Sequence, residues 1–406
     1  MTRKFAERIQ RLGTETAFEV GAEAARMAST GSKVYPFHLG DLNLKTHPNV
    51  IEAAIKAIRD GKTGYCPTPG INPLREALAE DVGNARGLKL SPDNVSIQTG
   101  GKPVIGKFIM ALMDPGEEVL YPNPGYPIYE SMINFHGGIA KPYGFIETET
   151  GFALNFEQIE RSITPKTRIL VYNNYHNPTS AESDDEEMAR LAKLCLENDL
   201  YVLSDEAYFD ILYEGTGKSI ASLPGMFERT VILYTFSKKF AMTGWRLGAA
   251  IGPVDIISQI SRFNVNDESC TNQFVQWAAV EGLKGPMDDV RKMLDILKER
   301  RDIAVDLLNS MPGVRVHRPN STFYLFPNVT EAMANLGISD VEEFRKLILD
   351  RTGVSFTTRN HFGTPLPGED QKYIRLAYSG IDKEDIREGL LKMKELIESS
   401  TPCKAF

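Results

Sequence analysis

Lys238 and Arg246 stand eight residues apart in the stretch TFSKKFAMTGWRLG, immediately behind the apolar run TVILYTF, residues 230–236. A lysine delivered to a partly buried site has a lowered pKa and can act as nucleophile and base, forming a Schiff base with an aldehyde. Arg246, expected to be turned back by Gly244, offers a planar fork suited to phosphate. Behind NVSIQ (94–98) come Thr99, Gly100, Gly101 and Lys102, where a bare backbone and a helix N-terminus can cradle an anion. At the end of LYVLSDEAYFD (200–210) come Asp205 and Tyr208, and a carboxylate at the end of an apolar strand is costly without a positive partner. Tyr126, following EVLYPNP, can lie flat on a ring, and Asn177 in YHNPTS can donate a hydrogen bond.

Each feature has a plain structural alternative: a turn glycine, an Asx turn, a solvated lysine. Taken together, the strand ends offer an amine, an anion cradle, a carboxylate and a stacking aromatic, the set that pyridoxal 5'-phosphate requires. Asp205 would keep the pyridine nitrogen protonated so that the ring draws electrons from the substrate's Cα. Asn177 and Tyr208 would hold the ring's phenolic oxygen, and Lys238 would carry the cofactor and move the Cα proton. Lys239 is expected to point away as an ordinary charged residue.

Those residues need a scaffold that collects strand ends. From about residue 50, apolar runs alternate with amphipathic stretches, the pattern of a mostly parallel sheet covered on both faces. Strands are expected at 94–98, 118–122, 168–174, 200–206 and 230–236, with helices over NPLREALAEDVGNA, VIGKFIMALM and DDEEMARLAKLCLEN. In such sheets ligands bind at the carboxyl ends of the strands. The expected fold is α/β: a three-layer large domain over residues 50–290 and a smaller α+β domain. The smaller one is discontinuous, assembled from 1–49 and 291–406, with a connecting helix in MDDVRKMLDILKERRDIAVDLLNSM. Residues 1–20 read as an amphipathic helix, an arm packing back on the small domain.

Composition narrows the function. The 406 residues carry a formal charge of −8 without a Lys/Arg-rich tract, which argues against nucleic acid as a partner. Cys66, Cys195, Cys270 and Cys403 form no CxxC pair, so neither a metal site nor a disulfide framework is expected, and a reducing cytoplasm fits. There is no apolar run of membrane-spanning length and no signal-peptide pattern. GTGKS (215–219) is not a P-loop, because Leu212 occupies the first glycine position, and the lack of a GxGxxG turn weakens a nicotinamide dehydrogenase.

The lysine stretch closely resembles the signature of class I/II aminotransferases of fold type I. GKTGYCPTPGINPLREALA, TGGKPVI, DPGEEVLYPNPGY, HNPT, VLSDEAYFDILYEG, FYLFPNV and YIRLAYSG follow in that family's order. The resemblance implies a PLP-dependent aminotransferase, moving the amino group of an L-amino acid to a 2-oxo acid such as 2-oxoglutarate. Thr235 and Arg246 would contact the phosphate with the backbone of Gly101 and Lys102, and Tyr126 would stack on the ring. Arg375 would clamp the substrate's α-carboxylate with Asn177 and the backbone of Gly40. Tyr65 would reach the phosphate of a partner subunit, which implies a homodimer with shared active sites. A lyase, cyclase or oxidase using the same carbanion is the alternative.

The chain departs from the family pattern in GDLNL (40–44), at Ser180, at Ser321 and Thr322, and in TTRNHFG. These segments border the substrate, so side-chain specificity stays open. Lys102 and Arg359 are candidates to face a distal carboxylate, and Asp41, Asp267 and Glu268 to face a cationic side chain.

Overall fold

The computed structural model describes residues 4–13 and 15–400. Its strands in chain order are β1 (Tyr35–Pro36), β2 (Val95–Gln98), β3 (Glu118–Pro122), β4 (Ile139–Tyr143), β5 (Phe145–Glu147), β6 (Phe152–Leu154) and β7 (Thr167–Asn173). There follow β8 (Tyr201–Asp205), β9 (Thr230–Thr235), β10 (Gly248–Ile251), β11 (Tyr324–Leu325), β12 (Val354–Ser355), β13 (Thr357–Thr358) and β14 (Ile374–Ala377). A seven-stranded central sheet runs in the order β2-β10-β9-β8-β7-β3-β4. Its pairings are parallel except at β10, which is antiparallel to both β2 and β9.

The near-continuous apolar runs of these strands follow from burial on both faces, since alternate residues feed opposite layers. Ile169, Val171, Leu203, Val231 and Leu233 pack with Val104, Phe108, Ile133 and Ile257, from the helices Lys102–Leu112, Ile128–Phe135 and Val254–Asn266. Their neighbours Leu170, Tyr172 and Val202 pack with Ile159, Met188, Leu191 and Cys195 from Phe156–Ser162 and Asp185–Glu197. On that second face Ile232, Tyr234 and Ala249 meet Leu74, Leu78 and Ala278. The result is the expected three-layer α/β fold with its strand ends gathered on one edge.

Beyond the sheet, the helix Asp288–Asn309 packs along the last helix, Lys383–Ser400. A three-stranded sheet, β11-β14-β13, lies nearby. The parallel pair β1 and β12 ties Tyr35 to Val354, so the N-terminal segment joins the C-terminal one.

Three expectations are corrected. The described part of residues 1–20 does not form one helix: a 3-10 turn spans Glu7–Arg11 and an α-helix starts at Ala17, while 1–3 and 14 lie outside the described residues. Gly13 intervenes, a poor helix former, and its amide donates instead to Ser131 Oγ at 2.9 Å. β4 and β10 were not anticipated; Gly248–Ile251 contains only small residues and one isoleucine, too weak a β pattern to stand out. Gly244 does not turn the chain behind Lys238, because it lies in the 3-10 turn Thr243–Trp245. The left-handed residues there are Ala241 and Arg246, with φ of 51° and 56°.

Candidate functional site

β9 ends at Thr235, whose side chain accepts from Ser237 N and starts the short helix Phe236–Lys239. This cap carries Lys238 off the sheet edge into a cavity of about 470 Å³. There its Nζ donates to Gly40 O at 2.7 Å and lies 5.2 Å from the Phe323 ring centroid. Burial pulls the Lys238 amine down to about 8; Arg375 and Arg246 push the same way against Asp41 and Glu15.

The next strand, β8, ends on Asp205, buried in the same cavity. Tyr129 OH donates to its Oδ2 at 2.5 Å and Ala207 N to its Oδ1 at 3.1 Å. Burial nevertheless raises the Asp205 carboxyl to about 6, and no ion pair reaches it among the described residues. Tyr208 follows on the turn, its OH 2.7 Å from Tyr324 OH.

At the end of β2 the chain passes through Gly100, with φ of 105°, into the helix Lys102–Leu112. A Cβ on Gly100 would lie 2.4 Å from Arg246 Nη2, and one on Gly248 would lie 2.6 Å from the Gly100 carbonyl carbon. Bare backbone at both positions lets the guanidinium and the helix N-terminus share one corner of the cavity. Arg246 Nη1 donates to Thr243 O at 2.7 Å. Thr235, Gly101 and Lys102 line that corner.

Opposite, β14 presents Arg375, whose side chain is buried. Its Nη1 donates to Asn177 Oδ1 at 3.1 Å and its Nη2 to His38 O at 2.8 Å, while Nε is buried without a partner. Tyr126 completes the wall, its OH donating to Glu15 Oε1 at 2.6 Å.

One cavity therefore brings together Gly40, Gly101, Lys102, Tyr126, Asn177, Asp205, Tyr208, Thr235, Lys238, Arg246 and Arg375. Tyr65 is not among them and is 89% exposed. Lys239 is absent from the cavity lining, as expected of a residue that points away, but it is no ordinary surface charge: it is buried and paired with Asp210 at 3.1 Å and Asp81 at 3.6 Å. Although burial opposes it, those two acids hold its pKa above the ordinary lysine value. Arg359 does not face the cavity, because Glu369 and Asn123 Oδ1 take its guanidinium. Glu268 is likewise committed, both carboxylate oxygens accepting from buried Lys107 at 2.7 Å; Asp267 lies 3.8 Å from the same amine. Cys66, Cys195 and Cys270 are free thiols, and Cys403 lies outside the described residues.

Sequence reasoning missed Tyr129, Tyr324 and Glu15. Tyr129 stands three residues after Tyr126, in the first turn of the helix Ile128–Phe135, its ring 5.8 Å from that of Tyr126; the short spacing was the available signal. Glu15 sits on the segment ahead of the helix Ala17–Ser29 and gave none.

The family model described as aminotransferase class I and II matches residues 32–392. A probable aspartate/prephenate aminotransferase of Aquifex aeolicus is 32% identical over 403 residues, 98% of this chain and all of its own length. The Thermus thermophilus aspartate aminotransferase structure with maleate superposes with a TM-score of 0.89 at 30% identity, covering 97% of this chain and 100% of that one. A Pyrococcus furiosus alanine aminotransferase structure gives 0.89 at 27% identity, covering 98% and 100%.

Proposed function

The chain belongs to the class I and II aminotransferases and transfers an amino group from an amino acid to a 2-oxo acid, and we propose that it does so with pyridoxal 5'-phosphate held in the cavity around Lys238. The comparisons favour this over the lyase, cyclase or oxidase alternative. The observation that carries the reading is the meeting of Lys238, Asp205, Arg246 and Arg375 in one cavity.

The donor set fits the cofactor. Asp205 is a buried carboxylate lacking a cation, which a protonated ring nitrogen would supply. Arg246 and the bare backbone at Gly100 and Gly101 form an anion corner for a phosphate, with Thr235 beside it. Arg375 retains a buried, unpartnered Nε, capacity that a substrate carboxylate can use.

When bound, the cofactor supplies an electron-withdrawing ring that stabilises negative charge at the substrate's Cα. Arg375, with Asn177 and the Gly40 backbone, holds the substrate's α-carboxylate. The Lys238 amine, neutral at mildly alkaline pH because its pKa is near 8, takes the Cα proton and returns one. Asp205, which accepts from Tyr129 OH, would pair with the protonated ring nitrogen of the bound cofactor. Tyr126 would cover the ring, and Tyr208 with Asn177 would bind its hydroxyl. Exposed Tyr65 suits a homodimer in which each subunit's Tyr65 reaches the other's phosphate. We assign residues 50–290 to the cofactor domain, and 1–49 with 291–406 to the small one, supported by the β1–β12 pairing. No helix of the described residues is long and apolar enough to cross a membrane, and the free thiols suit a cytoplasmic enzyme.

Borohydride treatment of the purified protein followed by peptide mass mapping tests the assignment. The cofactor's mass should appear on the Lys238 peptide and be absent from a folded Lys238→Ala variant without turnover. Label on another lysine, or transamination by that variant, would sink it.

A further inference from the structure

We propose that the side-chain subsite of this cavity is acidic and takes amino acids ending in a cationic nitrogen, an ammonium or a guanidinium, ahead of dicarboxylic ones. The proposal rests on the aminotransferase reading of the same cavity. Once Lys238, Asp205, Arg246 and Arg375 are assigned to cofactor and α-carboxylate, the charged side chains left on the lining are Glu15, Asp41 and Lys102, with His361. His361 Nδ1 is engaged by Thr358 N at 3.1 Å, and burial lowers its pKa, so it stays neutral.

Lys102 is not a free cation. It is ion-paired with Glu15, whose same oxygen accepts from Tyr126 OH at 2.6 Å. Asp41 has no ion-pair partner among the described residues; its Oδ1 accepts only from the adjacent Leu42 amide, at 2.8 Å. Glu15 and Asp41 both line the cavity, and both oppose the lowering of the Lys238 pKa. The remaining cation candidates are occupied: Arg359 by Glu369 and Lys107 by Glu268.

The charge count decides the preference. A dicarboxylic side chain would bring a further negative charge to a lysine already neutralised, close to an unpaired Asp41. A cationic side chain would meet Asp41, which is exposed and has no ion-pair partner among the described residues, and the second oxygen of half-buried Glu15. Ser180 Oγ, bonded to Thr322 Oγ1 at 2.6 Å, adds polarity near Tyr324 but no charge.

The test uses holoenzyme and non-reactive ligands in calorimetric titrations: 5-guanidinopentanoate and 6-aminohexanoate against glutarate and succinate. The wild type should bind the cationic pair tighter by roughly tenfold or more, the effect of a charged hydrogen bond. Glu15→Gln should shrink that ratio and, by freeing Lys102, tighten glutarate. Asp41→Asn should shrink the ratio both by weakening the cationic ligands and, by removing a nearby negative charge, by tightening glutarate, which loss of packing alone would not produce. The cofactor's absorbance change on adding arginine, lysine, ornithine, aspartate, glutamate or alanine runs in parallel. Amino transfer from none of them overturns the aminotransferase reading and the proposal with it. Reaction with aspartate or glutamate at lower concentration than with any cationic amino acid overturns the proposal and leaves the reading standing. An unchanged ligand ratio in both variants also overturns it.

Discussion

Tyr129→Phe removes one hydroxyl and leaves a fully buried ring in place, so it isolates the support given to Asp205. A hydrogen bond to a charged group contributes about 1.5–3 kcal/mol, and about 1.4 kcal/mol corresponds to one pH unit, so the loss should raise the Asp205 pKa by about one to two pH units. Burial already holds that carboxyl at about 6, against 3.8 when exposed. The sign follows from linkage: with the folded pKa above the unfolded one, the protonated carboxyl's contribution is complete below pH 3.8 and is lost as pH rises through the folded value. Cofactor-free wild type should therefore lose about 3 kcal/mol between pH ~4 and ~6 from this group. In Tyr129→Phe the decline should continue to about pH 7–8. Urea unfolding of the cofactor-free protein across that range, with carboxyl infrared bands to assign the group, measures both. The variant should also bind pyridoxal 5'-phosphate more weakly at pH 7, because less Asp205 is ionised. An Asp205 pKa that stays put or falls would refute the idea that the hydroxyl holds the carboxylate ionised.

Arg86 and Glu206 form an ion pair at 2.7 Å with side chains 2% and 1% exposed, and Glu206 also accepts from Ser204 and Ser219. Arg86→Met strands that carboxylate, so the unfolding free energy should drop by about 3–5 kcal/mol; an unmoved urea midpoint would contradict this. Arg375→Gln should lower kcat/KM for every amino acid by about 100-fold or more, chiefly through KM, in steady-state kinetics. A loss confined to one side-chain class would mean that Arg375 reads the side chain. In cofactor-free enzyme the rate of pyridoxal 5'-phosphate capture should climb with pH and level off above about 8, as the Lys238 amine becomes neutral. A rate still climbing at pH 10 would return that lysine to its ordinary value.

The residues that could be read from sequence share one property: local chain geometry alone delivers them. Asp205 ends β8, Thr235 ends β9 with Lys238 just behind it, and Gly101 follows β2, so strand and helix patterns were enough to aim them at one edge. The residues that escaped depend on contacts between segments distant in the chain. Tyr129 meets Asp205 across 76 positions, Tyr324 meets Tyr208 across 116, and Glu15 meets Tyr126 across 111. The same distinction explains why Lys102 and Arg359 looked alike as cations. Which one faces the cavity depends on where Glu15 and Glu369 lie, and no local pattern encodes either position. The residues assigned to the reaction accordingly stand at strand ends. The side chain accepted is written in cross-chain pairing. One carboxylate beside Lys102 is enough to change the charge a substrate meets while every strand-end residue stays the same.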